Sequence, residues 1–453
     1  MYRTLNPATG QLIRRYPEAN WSQAESCLKK AGLAFQGWRH TSGDIRKHLV
    51  LRLAELLRQG QKDFAHMMTL EMGKPIAQSL KEIEKCVWGC EFYATHAEAY
   101  LQPEVISSGA AKSYVRYDPL GTILGIMPWN FPFWQVFRFA IPALMAGNTV
   151  LLKHAPNVPQ SALKIESLFR AAGFPRGVFQ VIFASNQTTA RLIHSPIIQG
   201  VSLTGSDRAG SQVASVAGKA LKKTVLELGG SDPFIVLEDA SLEKAIAGAL
   251  HARMLNTGQS CIAAKRILIE EKIFSPFQDA FVEKVKQLKV GDPLDSETDI
   301  GPLARKDLLQ HLEKQVRQSV ARGAKVLLGG KRPNRAGFFY EPTVLKNVRP
   351  GMPACDEEIF GPVAVLIKVK NEKEALRIAN QTSYGLGASL WTNNLEKAES
   401  LASQIEAGSV FVNGVVKSDP RLPFGGIKRS GYGRELAAAG MKEFVNMKTV
   451  WIG

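Results

Sequence analysis

The segment Gly121-Thr122-Ile123-Leu124-Gly125-Ile126-Met127 is an apolar run that opens a regular alternation. Four similar runs follow at Thr149–Leu152, Val178–Phe183, Gly200–Leu203 and Thr224–Leu228. Between them lie stretches with helical spacing near Trp134–Met145, Ser161–Ala172, Thr188–His194 and Ala209–Ala220. Short strands that are apolar on both faces and alternate with helices predict a doubly wound parallel sheet. The fold class is therefore α/β.

Toward the C-terminus a second series begins. Its strands are expected near Phe234–Leu237, Ile267–Ile269, Val363–Val369 and Ser409–Val412, and its helices near Leu242–Leu255, Pro276–Lys286, Leu308–Ala321 and Lys373–Ile378. A second doubly wound domain follows from this, with the change near Gly229-Gly230. Toward the N-terminus the first hundred residues read as helical. Ser22 and Glu25 form a capping box ahead of a helix to Trp38. A second helix spans Ile45–Gln59 and stops at Gly60, a third closes at Met72-Gly73, and a fourth covers Ile76–Tyr100. Lys112–Pro119 alternates in a way that predicts a strand exposed on both sides, a candidate oligomerisation arm. The tail from Glu435 holds one helix and a last strand, Thr449–Ile452.

The composition is that of a globular chain, 453 residues with 45% hydrophobic and 22% charged, which exceeds what one core serves. Lys and Arg number 57 against 41 acids, a net charge of +16. The basic residues are dispersed, with no aromatic-interleaved stripe, so nucleic acid is not expected as a partner. The five cysteines (Cys27, Cys86, Cys90, Cys261 and Cys355) are odd in number and irregularly spaced. That argues against a disulfide framework and for a reducing compartment. Cys86 and Cys90 lack the further ligands a metal needs. The first residues contain no apolar signal core, and Phe131–Leu152 is interrupted by Arg138, Pro142 and Gly147. No membrane association is expected, and the default location is cytoplasmic.

Several short motifs carry chemistry. In Gly258-Gln259-Ser260-Cys261 a glycine turn delivers a cysteine near an expected helix start, where free backbone N–H groups favour a thiolate nucleophile; a buried structural cysteine is an equal reading. Trp129-Asn130-Phe131-Pro132 follows the first sheet strand, at the edge where open α/β sheets bind ligands. There Asn130 either donates to an oxyanion or caps a helix. Glu227, ending an apolar strand beside Gly229-Gly230, is a candidate desolvated base or a salt-bridged strand end. Thr204-Gly205-Ser206 makes a strand–turn–helix unit of the kind that holds pyrophosphate. Glu358 and Phe360, in Glu357-Glu358-Ile359-Phe360-Gly361-Pro362, offer a carboxylate for ribose hydroxyls and a ring for a flat heterocycle. Pro423-Phe424-Gly425-Gly426-Ile427-Lys428 adds a glycine-rich turn.

Taken together and in order, these motifs resemble those of the aldehyde dehydrogenase superfamily. The resemblance runs from Asn6-Pro7-Ala8-Thr9-Gly10 to Ser430-Gly431-Tyr432-Gly433-Arg434-Glu435. It implies Cys261 as nucleophile, Asn130 with the Cys261 backbone N–H as oxyanion hole, and Glu227 as activator of the deacylating water. Lys153 would contact the adenosine ribose and Ser206 the pyrophosphate, with Trp129 and Gly205 beside them. Glu358 and Phe360 would hold the nicotinamide ribose and ring. No metal is required.

The implied organisation is a Rossmann-like cofactor-binding domain at 1–110 and 127–229, a catalytic domain at 230–420, and an oligomerisation arm at 111–126 and 435–453. The chain is expected to be a homodimer or homotetramer. Many members that prefer NAD carry Lys-Pro-Ser-Glu where this chain has Lys153-His154-Ala155-Pro156. Lacking that acidic residue, it is expected to use NAD or NADP. Semialdehyde-type members place an arginine where Arg138 stands, so the expected substrate is a small-molecule aldehyde with a remote carboxylate, succinate semialdehyde foremost. Ser418 and Arg421 are further candidate donors, while Leu255 stands where some such members have a second arginine. The alternatives are a general or CoA-acylating aldehyde dehydrogenase, and an inactive structural or RNA-binding relative.

Overall fold

The structure, a computed structural model, describes residues 1–453. The chain begins with an antiparallel hairpin, β1 (Tyr2–Leu5) and β2 (Leu12–Tyr16), followed by helices α1 (Trp21–Trp38), α2 (Gly43–Gln59), α3 (Gln61–Met72) and α4 (Ile76–Tyr100). The first capping box lies two residues before the expected one. Asn20 accepts from the Gln23 backbone while the Gln23 side chain accepts from the Asn20 N–H. Both Asn20/Gln23 and Ser22/Glu25 carry suitable residues, and helix formation at Trp21 decides between them. Gly73, at φ 79°, closes α3 in the left-handed conformation that glycine adopts without a Cβ clash.

Strands β3 (Glu104–Val105) and β4 (Lys112–Pro119) are followed by β5 (Thr122–Met127). The arm expected at 111–126 therefore ends earlier, because β5 belongs to the six-stranded sheet. Its side chains are almost all buried, whereas β4 is only partly so. Helix α5 (Trp134–Met145), β6 (Thr149–His154), α6 (Pro159–Ala171), β7 (Phe179–Val181), α7 (Asn186–His194), β8 (Ile198–Thr204), α8 (Asp207–Lys219) and β9 (Lys223–Glu227) complete the first α/β series. Every residue of α5 is buried, which explains why its sequence is apolar on all sides.

The second series holds β10 (Asp232–Val236), α9 (Leu242–Met254), β11 (Ala264–Glu270), α10 (Glu271–Lys286), α11 (Lys306–Ala321), β12 (Lys325–Leu328), β13 (Thr343–Lys346), β14 (Val363–Val369), β15 (Gly387–Trp391) and β16 (Ser409–Val412). Helix α10 starts five residues before the expected Pro276, which lies in its second turn. Strands β17 (Gly431–Tyr432) and β18 (Val445–Ile452) end the chain.

The six-stranded sheet has the order β17-β9-β8-β5-β6-β7, parallel except for β17. The chain runs outward from β5 through β6 and β7, then returns to β8 and β9 on the other side. The carboxyl ends of β5 and β8 thus flank a topological switch point, where such sheets bind ligands. The seven-stranded sheet has the order β12-β13-β14-β11-β10-β15-β16, with only β12 antiparallel. Strand β18 pairs with β4, and β4 with β3, in a separate antiparallel ribbon. No helix is long and apolar enough to cross a membrane.

Candidate active site

The motifs lie where the carboxyl edge of the first sheet meets the amino edge of the second. Asn130 follows β5, Ser206 follows β8 and Glu227 ends β9, whereas Gly230 precedes β10, Cys261 precedes β11 and Glu358 precedes β14. This corrects the expected setting of Cys261. It occupies a turn leading into a strand, not the start of a helix.

The turn is wound tightly. Asn256, Thr257 and Gly258 are consecutively left-handed, at φ 54°, 56° and 71°. Two of the three carry a Cβ, so the surroundings must hold them there. A Cβ on Gly258 would come within 2.2 Å of the Gly361 carbonyl oxygen. The fully buried Arg253 spends its guanidinium on the carbonyls of Gly258, Ile359, Gly361 and Val363. Gln78 Oε1 accepts from the Asn256 N–H at 2.7 Å, and Lys265 Nζ donates to the carbonyls of Ser260 and Cys261. Arg253 and Asn256 escaped sequence reasoning because most of the carbonyls they hold, those of Val363, Ile359 and Gly361 and that of Asn130, lie far along the chain, and Lys265 escaped it because a lysine that holds nearby carbonyls leaves no sequence pattern.

The Asn130 and Cys261 segments are brought together. Asn130 Nδ2 donates to the Gln259 carbonyl at 3.1 Å, and Asn256 Nδ2 donates to the Asn130 carbonyl at 2.8 Å. Behind Asn130 the buried Glu82 accepts from the N–H groups of Phe133 and Trp134, at 2.9 and 3.0 Å, and pairs with buried Lys74. The Lys74 ammonium also lies over the Phe131 ring, 3.8 Å from its centroid. A carboxylate at the N-terminus of α5 thus fixes the loop that presents Asn130.

The Cys261 thiol is pushed up to about 11 by burial, against the lowering influence of the Lys265 and Arg138 charges. Glu358 and Glu227 also raise it. Glu227 is 2% exposed, and neither of its oxygens has a hydrogen-bond partner. Burial raises its pKa well above the carboxylate range, with Arg138 and Arg434 opposing and Glu435 and Glu443 adding to the rise. It is the desolvated carboxyl that the sequence suggested, not a salt-bridged strand end. Its space is made by glycine, since a Cβ on Gly425 would come within 2.7 Å of Glu227 Oε1.

Arg138 lies beside this cluster, but it is not a free cation. Its Nε faces Glu435 in a buried ion pair, its Nη2 reaches Thr204 Oγ1 at 3.4 Å, and the guanidinium lies 4.7 Å from the Phe424 ring centroid. Arg421 corrects its expectation more fully. Its fork is engaged by Asp419 at 2.9 and 2.7 Å, on an exposed side chain. Ser418 is buried and accepts from Lys85 Nζ and Trp134 Nε1.

The opposite side of the junction suits a dinucleotide. Lys153, at the end of β6, is half-buried, and burial lowers its amine pKa. Gly205 leaves open space, since a Cβ there would meet only Leu203 at 3.7 Å. Ser206 caps α8, and Arg429 offsets Asp207 in the same first turn. Glu358 sits on the glycine pair, accepting from the Gly230 N–H at 3.1 Å and pairing with Lys265 at 3.5 Å. Trp129 meets Phe360 edge to face at 5.7 Å. An ammonium, helix-terminal amides, a carboxylate and aromatic rings match the phosphate, ribose and heterocycle of a nicotinamide dinucleotide.

A doubly wound sheet with a ligand-binding switch point, facing a half-buried cysteine and a buried amide and carboxyl, is the architecture of a nicotinamide-dependent oxidoreductase. The chain belongs to the aldehyde dehydrogenase family, whose model matches residues 1–450. It is 51% identical over 449 residues to a probable succinate-semialdehyde dehydrogenase [NADP(+)] of Synechocystis sp., covering 99% of each chain. It is 46% identical over 452 residues to succinate-semialdehyde dehydrogenase [NADP(+)] 1 of Mycobacterium tuberculosis, again over 99% of each. The crystal structure of succinic semialdehyde dehydrogenase from Streptococcus pyogenes in complex with NADP+ superposes with a TM-score of 0.98 at 35% identity, over 100% of both chains.

Proposed function

We propose that this chain oxidises succinate semialdehyde to succinate with NADP as the preferred cofactor and NAD as a poorer one. The observation carrying the reaction type is the convergence of Asn130 and Cys261 with a buried, unpartnered Glu227. The names of the relatives support the substrate and the cofactor. Cys261 Sγ, as the thiolate, adds to the aldehyde carbon and the carbonyl electron pair moves onto oxygen. Asn130 Nδ2 and the Cys261 backbone N–H are the donors for that oxyanion. The bound nicotinamide dinucleotide supplies the acceptor for the hydride that leaves this carbon. A thioester on Cys261 remains. Glu227, once deprotonated, takes a proton from water as the water oxygen attacks the thioester carbon. The C–S bond breaks, the acid departs and the thiolate is restored. A CoA-acylating enzyme has no use for this base, so hydrolysis is the reading Glu227 favours.

Steady-state assays across an aldehyde panel test the proposal. Succinate semialdehyde is expected to exceed butyraldehyde in kcat/KM by tenfold or more, since a charge-assisted contact contributes about 1.5–3 kcal/mol. Equal efficiencies reduce the reading to a general aldehyde dehydrogenase. NADP is expected to lead NAD by less than about a thousandfold, roughly 4 kcal/mol, because Pro156 presents no carboxylate to reject a 2′-phosphate and Lys153 favours an anion. We also assign the fold a division into cofactor-binding, catalytic and arm segments, and an oligomeric assembly built through the arm.

A further inference from the structure

Lys265 lies near the start of β11, the central strand of the seven-stranded sheet, and is fully buried. A buried ammonium is costly unless its charge and its three N–H donors are met. Here Nζ donates to the Ser260 carbonyl at 2.7 Å and to the Cys261 carbonyl, and it faces Glu358 Oε1 at 3.5 Å. Burial lowers the Lys265 pKa, while Glu358 and then Asp232, on the neighbouring strand β10, oppose the fall. Two carboxylates from the flanking segments thus favour the charged form. The carbonyls it holds are those on either side of the nucleophile.

The Ser260 carbonyl and the Cys261 N–H are the two ends of one peptide group. A peptide is planar and trans, so the two point in opposite directions. A cation fixed on the carbonyl therefore fixes the line along which the N–H points. The same carbonyl also accepts from the Ala263 N–H at 3.2 Å, while the Cys261 N–H donates to no group of the protein. Donation to a carbonyl polarises the amide and strengthens its N–H as a donor, as in any chain of hydrogen bonds at low dielectric. A charged donor does this more strongly than a neutral one. The Cys261 carbonyl is held by the same ammonium, and Gly230 keeps the room for it, since a Cβ there would come within 2.8 Å of that oxygen.

We infer that Lys265 is a positioning residue for acylation: from behind the Ser260–Cys261 peptide it orients and polarises the N–H that donates to the oxyanion. This rests on the Cys261 chemistry proposed above. Lys265 acts through the backbone, and its charge is what distinguishes it from a residue that only fills space. It makes the peptide a stronger donor as negative charge develops on the aldehyde oxygen.

The Lys265 charge also lowers the thiol pKa, and the experiment separates that effect from the one inferred. Acylation and methylthiolation by methyl methanethiosulfonate both need the Cys261 thiolate, but the second reagent has no carbonyl to polarise. Acylation is read as the first turnover of reduced-cofactor formation at saturating NADP and limiting aldehyde. The ratio of the two rates at one pH cancels the thiolate fraction. Outright loss of an oxyanion donor costs roughly 100- to 1,000-fold, and Lys265→Met is expected to lower the ratio by about tenfold or more. Lys265→Gln, which keeps an N–H donor and loses the charge, should fall between Lys265→Met and wild type. A ratio unchanged in Lys265→Met, whether both rates fall together or neither falls, overturns the inference, because the lysine then only shapes the turn or tunes the thiol. Should Lys265→Met fail to fold, Lys265→Gln decides, and a ratio within about twofold of wild type overturns the assignment. Aldehyde oxidation that survives complete methylthiolation of Cys261 in the wild type overturns the underlying Cys261 chemistry instead.

Discussion

Cys261 is held as a thiol, with burial outweighing the nearby cations. Nucleophilic attack requires the thiolate, so alkylation by iodoacetamide should accelerate as pH rises and continue to do so beyond pH 9. A plateau below pH 8 would show the thiol to be far more acidic than its surroundings dictate. Cys261→Ala should abolish aldehyde oxidation while leaving the unfolding transition intact, and retention of near-wild-type turnover would remove the central assignment. Glu227 acts later. Glu227→Gln should yield a burst of reduced cofactor followed by slow turnover, because acylation proceeds and hydrolysis stalls; burst-free wild-type kinetics would exclude Glu227 as the hydrolytic base. Cys261, Asn130 and Glu227 stood out in the sequence as candidates because each lies in a short motif by a glycine turn, shortly after a strand or at a strand end. The partners of Arg138 were not. Glu435 approaches it from the far end of the chain, and no local pattern encodes such a meeting. Ser418 was legible only as a donor, while Lys85 sat within an ordinary amphipathic helix pattern and gave no signal.

At the scale of elements, the alternation from Gly121 to Leu228 reported the first sheet well, since each buried strand is apolar on both faces and each crossover helix has its own periodicity. The setting of Cys261 was misread because a glycine turn precedes strands and helices alike, and the apolar run after it, β11, decides for a strand. Helix α5 depends on α4 through Glu82, which takes the Phe133 and Trp134 N–H groups and the Lys74 ammonium in one buried cluster. Glu82→Leu leaves that ammonium buried and alone, and should cost about 3–5 kcal/mol of stability. Adding Lys74→Met should recover part of the loss, giving a coupling energy above about 1 kcal/mol in a double-mutant cycle by urea denaturation. Additive effects would mean that the pair does not act as a unit. Glu82→Leu should also lower kcat, because the loop carrying Asn130 runs into the helix end that Glu82 holds.

At the scale of the whole molecule, the ribbon of β3, β4 and β18 stands apart from both large sheets. Strand β18 is its edge, and its second side pairs with nothing in this chain. Along it Met447, Trp451 and Ile452 are 64%, 61% and 48% exposed. A long edge strand with large apolar side chains is an aggregation hazard in a free monomer, whereas a closed symmetric assembly removes it. The seven-stranded sheet also ends in β16, whose residues are all partly exposed, so each copy offers an open edge as well as an arm. The chain is accordingly expected to sediment as a dimer or tetramer at micromolar concentration. Changing Met447 and Trp451 together to Asp should shift it toward smaller species, because like charges would then face the partner across a desolvated contact. Both residues lie on β18, away from Cys261 and Glu227, so loss of assembly should appear in sedimentation velocity before any loss of the thiol's accessibility to alkylation. A wild-type monomer under these conditions would leave the exposed edge without a purpose and refute the assembly.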